Sequence, residues 1–326
     1  MTMQASPTDA SVFPNAPQVL VVGLGAIGTV VAGRLLAAPC PPSSLHVLAP
    51  DGRAAAYRAT PPSLNGTPLP LPPEAYVEAA PAPGTPRPDL LLVAVKGPAL
   101  SSMLPAIAAW TAPHTTILSL LNGISAPRML GTAVPPAQVV PAIVTCNTAM
   151  RTGRAVEQHG LFRLDLGPRL APLSPGAAPL PSPAALAAYL ATAPGLSADA
   201  PADFADALWL KFVLNVGLNQ AEALLSLDHG QLLANPDARA FCHALMVEAA
   251  AVAAAEGLPT ASTLVARAEA LLSVLSPRGR TSMLQDLDAG RPHEIDLFAG
   301  EVLRLAARHQ LSAPANQLVL DHLAPS

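Results

Sequence analysis

The chain has 326 residues, enough for two domains, and 51% of them are hydrophobic, which excludes disorder of the whole chain. Its formal net charge of −4 at pH 7 gives no electrostatic basis for binding nucleic acid or an anionic membrane. We therefore expect a small-molecule ligand, with no nucleic acid and no membrane as partner.

The cysteines and the first residues indicate a reducing compartment. Cys40, Cys146 and Cys242 are widely spaced and form no Cys-x-x-Cys pair, so neither a disulfide framework nor a metal site is predicted. Residues 1–16 have the features of neither a secretory signal nor a transit peptide and are interpreted as a disordered tail. Proline, glycine or charge interrupts the apolar runs before the roughly 20 residues of a membrane span. We expect a cytoplasmic protein.

Residues 17–200 are predicted to form an α/β dinucleotide-binding domain, with a Rossmann-type, doubly wound parallel sheet. An apolar run at 18–22 predicts the first strand, a helix is predicted over Ala26–Ala37, and a second strand follows at 45–49. Further strands are predicted at 89–95, 115–121, 139–146 and 161–166, with helices at 100–110 and 184–193. This alternation is typical of a parallel sheet covered by helices on both faces.

The remaining segments are predicted from proline content and helical periodicity. Residues 60–88 and 172–183 are rich in proline, and the first of these is interpreted as a surface excursion. Residues 201–326 show helical periodicity and almost no strand signal, which predicts a second, all-helical domain. Its helices are predicted at 203–226, 236–256, 260–275, 281–289, 293–309 and 314–323.

The segment Gly23-Leu24-Gly25-Ala26-Ile27-Gly28 matches the G-x-G-x-x-G fingerprint of dinucleotide-binding folds. Gly23 permits the tight turn, Gly25 lets a pyrophosphate approach the backbone, and Gly28 allows close packing of helix on strand. The alternative is a structural glycine turn. We favour cofactor binding, because the motif follows a predicted strand and opens a predicted helix.

Residues at the ends of three later strands bear on the cofactor. Ala49-Pro50-Asp51-Gly52-Arg53 follows the second strand; an acid there favours NAD and an arginine favours NADP, so this pattern leaves both open. Lys96 and the Asn122-Gly123 pair also follow strands, at the edge of a parallel sheet where ligands bind. Their alternatives are a solvated lysine and a simple Asn-Gly turn.

A polar stripe is predicted on the first helix of the second domain. Lys211, Asn215 and Asn219 recur every four residues and share one face, among apolar neighbours. Burying such groups without partners costs several kcal/mol, so we expect them to meet a partner or a ligand. The alternative, an exposed helix face, is disfavoured because asparagine is a poor helix former.

Ser282 and Glu294 lie on either side of a predicted break between two later helices. Gly290 and Pro292 supply that break, which can bring the two side chains toward a common point. Their alternatives are a helix cap for Ser282 and a first-turn acid for Glu294.

In this order and spacing, the motifs resemble those of ketopantoate reductases over about residues 18–310. The resemblance implies a Rossmann domain, a helical domain, a cleft between them, and NADPH-dependent reduction of 2-dehydropantoate to pantoate on the pathway to pantothenate and coenzyme A. It implies that Lys211 is the general acid and that the substrate is held by Asn215, Asn219, Ser282 and Glu294. The cofactor side is implied to contain Gly23, Leu24, Gly25, Ala26, Ile27, Gly28, Lys96, Asn122 and Ala149. A homodimer is kept as the candidate assembly.

The chemistry of these residue types agrees with that reaction. Hydride addition to a ketone leaves negative charge on oxygen, which an ammonium group such as that of Lys211 can stabilise and then protonate. An ionised Glu294 is a natural acceptor for a substrate hydroxyl.

The sequence departs from the family pattern at four positions, which keeps alternative functions open. Pro50 stands where the NADP-selecting arginine is expected, Ala99 replaces a glutamine, Gln220 a proline and His229 an asparagine. The last two favour a paralogous NAD(P)H-dependent reductase of another small 2-oxo acid. A cofactor-sensing regulator without turnover is a third candidate, but it has no need for the lysine and asparagine stripe.

Overall fold

The computed structural model of the chain describes residues 13–14 and 16–324, so most of the predicted tail lies outside the described residues. The chain packs into two compact units. The first contains the residues up to Val95, Ser102–Leu121 and Pro127–Ala202; the second contains Lys96–Ser101, Asn122–Ala126 and the residues from Asp203 onward. Phe13, which falls in the predicted tail, is buried with its ring centroid 4.5 Å from that of Tyr189.

The first unit is built on a ten-stranded mixed sheet. Its strands are β1 Val19–Val22, β2 Leu45–Leu48, β3 Ser63–Leu64, β4 Thr67–Pro68, β5 Tyr76–Val77, β6 Leu90–Val93, β7 Thr116–Ser119, β8 Val139–Thr152, β9 Ala155–Leu166 and β10 Ser197–Asp199. Their order is β4-β3-β9-β8-β7-β6-β1-β2-β5, and β10 pairs with β9. All neighbours from β8 through β5 run parallel, and β1, β6 and β7 are buried along their whole length. The Rossmann-type fold class is confirmed.

Among the described residues, five α-helices precede Asp203: α1 Ala26–Ala37, α2 Arg53–Ala59, α3 Gly97–Trp110, α4 Ala126–Leu130 and α5 Pro183–Leu190. The bounds of α1 match the prediction, because an uninterrupted apolar pattern follows the glycine turn directly. The sequence analysis missed α2, α4 and β10, which are short elements whose apolar periodicity is too brief to detect.

Two predictions for the first unit need correction. The strands predicted at 139–146 and 161–166 are longer and form one antiparallel hairpin, turning at Gly153 with a φ of 60°. Its outer part was missed because polar residues alternate there with few buried ones. The surface excursion predicted for residues 60–88 is wrong in part, since it contributes the short strands β3, β4 and β5, of which β4 and β5 lie at the two ends of the strand order, and it buries Leu69 and Tyr76. Proline is compatible with strands at a sheet edge.

In the described residues from Asp203 onward, the second unit is helical. Its helices are α6 Phe204–Leu225, α7 His229–Ala234, α8 Pro236–Ala255, α9 Leu264–Leu272, α10 Ser282–Asp288, α11 Ala299–Arg308 and α12 Pro314–Leu323. The long helix α6 packs closely on α8, because a Cβ on Gly217 would lie 2.4 Å from Cγ of Met246. The short helix α7, which begins with an Asp228–Gln231 capping box, was not predicted.

Two of the helices predicted in the second unit are interrupted. The segment predicted at 260–275 begins as a 3-10 turn, Ala261–Thr263, before α9. The helix predicted at 293–309 is a 3-10 turn, Ile295–Leu297, followed by α11. Phe298 separates them with a non-helical backbone, φ −112° and ψ −88°, and its buried ring lies 6.5 Å from that of Phe212. Burial of this ring in the core explains why the helical periodicity continues across the break.

Among the residues that the structure describes, one helix meets the length and composition of a membrane span, contrary to the expectation from sequence. This helix is α8, which is 20 residues long. Its alanine, leucine and methionine side chains supply much of the core of the second unit, with Leu245, Met246 and Ala249 fully buried. A buried core helix passes the same test, so the match is weak evidence of a span.

Candidate active site

The glycine turn follows β1 directly. Glycine is favoured at each of its three glycine positions for a different physical reason. Gly23 adopts φ 92°, in the left-handed region that favours glycine. A Cβ on Gly28 would lie 2.0 Å from the carbonyl oxygen of Gly23, so the packing of α1 on the turn requires glycine there. A Cβ on Gly25 would meet only the carbonyl oxygen of Ala94, at 3.9 Å, and its φ of −75° suits any residue. The fold does not require Gly25, whereas close approach of a phosphate does.

The first turn of α1 is suited to a pyrophosphate. This helix is 12 residues long, no side chain caps its N-terminus, and its first turn contains no acidic residue. Its first N–H groups and its partial positive charge are therefore available to an anion. The stretch Gly23–Gly28, including Leu24, Ala26 and Ile27, fits the pyrophosphate of a dinucleotide cofactor.

The two glycines give a matched pair of variants. Gly25→Ala should leave the thermal unfolding midpoint unchanged but weaken dinucleotide binding about 10- to 100-fold, because a Cβ blocks hydrogen bonds between backbone and phosphate. Gly28→Ala should lower the unfolding midpoint as well, since the Cβ overlaps the backbone of Gly23. Calorimetric titration and thermal denaturation of both variants test this; unchanged binding by the Gly25 variant would exclude the site.

The segment after β2 contains the residues relevant to the cofactor's adenosine ribose. Asp51 and Arg53 are exposed, and Asp51 adopts φ 60°. Arg58 is engaged within its own unit: Nε donates to the carbonyl of Pro73 at 3.2 Å and Nη2 to that of Tyr76 at 2.5 Å. Its remaining nitrogen lies 3.5 Å from the carboxylate of Glu78. The guanidinium of Arg58 is thus held by three acceptors of the protein.

A second cluster lies within the helical unit and joins three predicted site residues. Lys211 Nζ donates to Asn122 Oδ1 at 3.1 Å, and Asn122 Nδ2 donates to Glu294 Oε2 at 3.1 Å. The other oxygen of Glu294 accepts from the backbone N–H of Gly97 at 3.4 Å. Asn122 therefore links the ammonium group to the carboxylate, and both oxygens of Glu294 are fixed in direction.

Two glycines bring these groups together. A Cβ on Gly97 would lie 2.7 Å from Cδ1 of Leu297, and one on Gly123 would lie 2.9 Å from the carbonyl oxygen of Leu297. Gly123 also has φ 81°, in the left-handed region. Without side chains, the segments that follow β6 and β7 can pack against the 3-10 turn that begins after Glu294.

Lys96 has a partner in the same unit. Its Nζ forms an ion pair with the carboxylate of Asp286, whose side chain is only 6% exposed and also accepts from Arg291 Nε at 3.0 Å. The sequence analysis gave no role to Asp286. The available signal was its position one helical turn after Ser282 on α10, where both residues share a face.

Lys96 and Asn122 were predicted to line the cofactor. The described contacts join Asn122 to Lys211 and Glu294, and join Lys96 to Asp286 on the helix that begins at Ser282. A role toward the cofactor stays a prediction for these two residues.

The remaining predicted residues are less closely associated with this cluster. Asn215 is half-buried and Asn219 is buried, one and two turns along α6 from Lys211. Ser282 is exposed at the first position of α10, where Thr281 is the cap, and no hydrogen bond among the described residues joins Ser282 to Glu294. Ala149 lies within β8, opposite Gln158 of β9.

Two departures from the family pattern have structural roles. Gln220 is fully buried and its Nε2 donates to Asn316 Oδ1 at 3.0 Å, which ties α6 to α12. His229 Nδ1 is paired with the buried carboxylate of Glu222. These contacts are internal to the helical unit, so they explain both residues without a change of substrate.

A Rossmann-type unit with an uncapped glycine turn, and a helical unit in which a lysine, an amide and a carboxylate are held together, define a nicotinamide-dependent oxidoreductase. Comparison with known proteins agrees. Residues 19–170 match the family model described as ketopantoate reductase PanE/ApbA, and residues 203–325 match its C-terminal model. The chain belongs to the ketopantoate reductase family.

Individual relatives are distant in sequence but similar in fold. The chain is 28% identical to the 2-dehydropantoate 2-reductase of Halobacterium salinarum, over 72% of this chain and 74% of that protein. The solved 2-dehydropantoate 2-reductase of Methylococcus capsulatus is 25% identical, covers 94% of this chain and 95% of its own, and superposes with a TM-score of 0.76. D-mandelate dehydrogenase, solved with NADH and anilino(oxo)acetate, shares the fold at 20% identity and a TM-score of 0.77, over 93% and 96% of the two chains.

Proposed function

We propose that this protein reduces the 2-keto group of 2-dehydropantoate to give pantoate, with a nicotinamide dinucleotide as hydride donor. NADPH is the donor that the family resemblance implies. The observation that carries the proposal is the hydrogen-bonded series Lys211, Asn122 and Glu294. A pathway to pantothenate and coenzyme A, a cytoplasmic location and a homodimeric assembly accompany the proposal as expectations from the resemblance.

The residues of this site stabilise the charge that develops on the keto oxygen and orient the proton donor. When bound, the dinucleotide supplies the hydride. Lys211 stabilises the negative charge that develops on the keto oxygen and donates the proton that completes the alcohol. Asn122 accepts from Lys211 and donates to Glu294, so its amide holds the ammonium group in one direction relative to the carboxylate.

Glu294 supports recognition of the substrate hydroxyl. Its carboxylate is oriented by Gly97 and Asn122, and an ionised carboxylate accepts a hydroxyl hydrogen bond. Asn215, Asn219 and Ser282 offer amide and hydroxyl donors for the substrate carboxylate. A 2-oxo acid without the hydroxyl would leave Glu294 without that donor, which lowers its transition-state binding.

The test is turnover by the purified chain with ketopantoate and with 2-oxo acids that lack its hydroxyl, measured by oxidation of NADPH or NADH. We expect kcat/KM for ketopantoate to exceed that for 2-oxo acids without the hydroxyl by at least about 10²-fold. Glu294→Gln should reduce this ratio. Equal rates on both kinds of acid would favour a paralogous reductase of another 2-oxo acid, and binding without turnover would favour a cofactor-sensing protein.

A further inference from the structure

We infer that the adenosine end of the cofactor site selects a dinucleotide that lacks a 2′-phosphate, and that Asp51 is the selecting residue. The inference rests on the proposed function only in that a nicotinamide dinucleotide is bound. It departs from the NADPH that the family resemblance implies, because the residues of this chain at that position have different chemistry.

The pairing of β1 with β2 puts Asp51 at the cofactor edge of the sheet. These strands run parallel, with Val22 opposite Leu48, so they end side by side. The glycine turn follows β1 immediately, and Asp51 is the third residue after β2. In Rossmann folds, an acid at the end of the second strand accepts a hydrogen bond from the ribose 2′-hydroxyl.

The turn after β2 leaves Asp51 exposed and offers a phosphate few backbone N–H donors. Asp51 and Gly52 both adopt left-handed conformations, with φ 60° and 72°. The N–H groups of Arg53 and Ala54 donate back to the carbonyls of Pro50 and Ala49, at 3.2 and 3.1 Å. Pro50 has no N–H at all. Three backbone positions of the turn are therefore unable to donate to a 2′-phosphate.

The side-chain charges at this turn also disfavour a 2′-phosphate. Such a group is usually held by an arginine, whose planar fork suits phosphate oxygens. Arg58 is occupied by Pro73, Tyr76 and Glu78, as described above. The other arginine near this turn is Arg53, which lies two residues after Asp51 in the sequence. The Asp51 carboxylate would repel a 2′-phosphate, whereas it would accept a hydrogen bond from a 2′-hydroxyl.

The experiment measures nucleotide affinity by calorimetric titration of the full chain with NADH and with NADPH, in the absence of any oxo acid. We expect the unmodified chain to bind NADH at least about tenfold more tightly than NADPH, which is the effect of one lost or repelled polar contact. Asp51→Asn should weaken NADH binding and strengthen NADPH binding, so that the preference falls below about threefold. Asp199→Asn, an exposed aspartate on β10 of the same unit, is the matched control and should change neither affinity.

Arg53→Ala separates the inference from its opposite. If Asp51 is the selecting residue, Arg53→Ala still binds NADH more tightly than NADPH. Tighter binding of NADPH by the unmodified chain, lost in Arg53→Ala, overturns the inference and assigns Arg53 to the 2′-phosphate. An unchanged preference in Asp51→Asn overturns it as well.

Failure of the inference is distinct from failure of the proposed function. A chain that prefers NADH but reduces no oxo acid refutes the proposed reaction and supports the inference. Turnover of ketopantoate with NADPH bound more tightly than NADH does the reverse. Binding of neither nucleotide overturns both.

Discussion

Replacement of Lys211 by alanine should lower kcat for the oxo acid by about 10²- to 10⁴-fold, the range found when a positioned general acid is removed. The physical reason is that the variant lacks the ammonium group proposed to stabilise the developing oxyanion and to protonate it. Dinucleotide affinity should stay unchanged, since the glycine turn and Asp51 lie in the other unit of the chain. Single-turnover kinetics and calorimetric titration of the same preparation measure the two quantities separately.

Three further variants test whether the fall in kcat is due to the loss of the Lys211 ammonium group. Arg239→Ala removes an exposed cation from helix α8 of the same unit and should leave kcat unchanged. Asn122→Ala keeps the ammonium group but removes its hydrogen-bonded partner, so we expect a smaller fall in kcat than in Lys211→Ala. Lys211→Arg retains charge in a different shape and should recover only part of the rate. Full turnover by Lys211→Ala would refute the proposed general acid.

Local signals explain which parts of the fold the sequence predicted. Helix α1 and strand β1 were predicted because an apolar strand, a glycine turn and a helical pattern follow each other within about one βαβ unit. The β8–β9 hairpin was predicted short because the outer part of β9 buries only Val156 and the polar Gln158, between exposed residues. The break at Phe298 was missed because a buried aromatic fits the helical pattern equally well. In both cases tertiary packing determines where the strand or helix ends, and the periodicity of the sequence does not report it.

The candidate site was predictable as a set of residues but not as a set of contacts. Lys211 and Asn122 are 89 residues apart, and Asn122 and Glu294 are 172 apart, so no local pattern reports that they touch. Lys96 was identified by its place after a strand, yet its partner Asp286 lies 190 residues later. Spacing identified the chemistry of each residue, and the fold alone determines which of them are paired.

Replacement of Glu222 by alanine should lower the free energy of unfolding of the second unit by about 2–6 kcal/mol, because it leaves two buried hydrogen-bonding partners unpaired at about 1–3 kcal/mol each. The Glu222 side chain is 0% exposed. One of its oxygens is paired with His229, and the other accepts from the backbone N–H of Thr281 at 2.9 Å. Removal leaves His229 and that N–H unpaired in the interior.

The residues around Glu222, including Cys242, are also buried, so that loss is costly. Burial, and after it the charge of Glu222, raises the pKa of the Cys242 thiol to about 12. Water does not replace a missing partner easily in such a place, so the unpaired groups keep their full desolvation cost. The same arrangement positions α10, because Thr281 is the cap of the helix that carries Asp286.

The chain contains a matched control for this experiment. His243 and Glu269 form another histidine–glutamate pair in the same unit, at 2.8 Å, but their side chains are about half exposed, 51% and 48%. Glu269→Ala should therefore cost less than about 1 kcal/mol, as surface ion pairs do. Urea denaturation followed by far-ultraviolet circular dichroism compares the two variants.

A third variant separates stability from positioning. Glu222→Gln keeps an acceptor for Thr281 and should recover part of the lost stability, while leaving His229 without a carboxylate. If Glu222 also positions α10, this variant raises KM for the oxo acid at temperatures where the protein stays folded, because Asp286 then holds Lys96 less firmly. Equal stability losses in Glu222→Ala and Glu269→Ala would show that burial does not distinguish these pairs. An unchanged KM in Glu222→Gln would limit Glu222 to a role in folding.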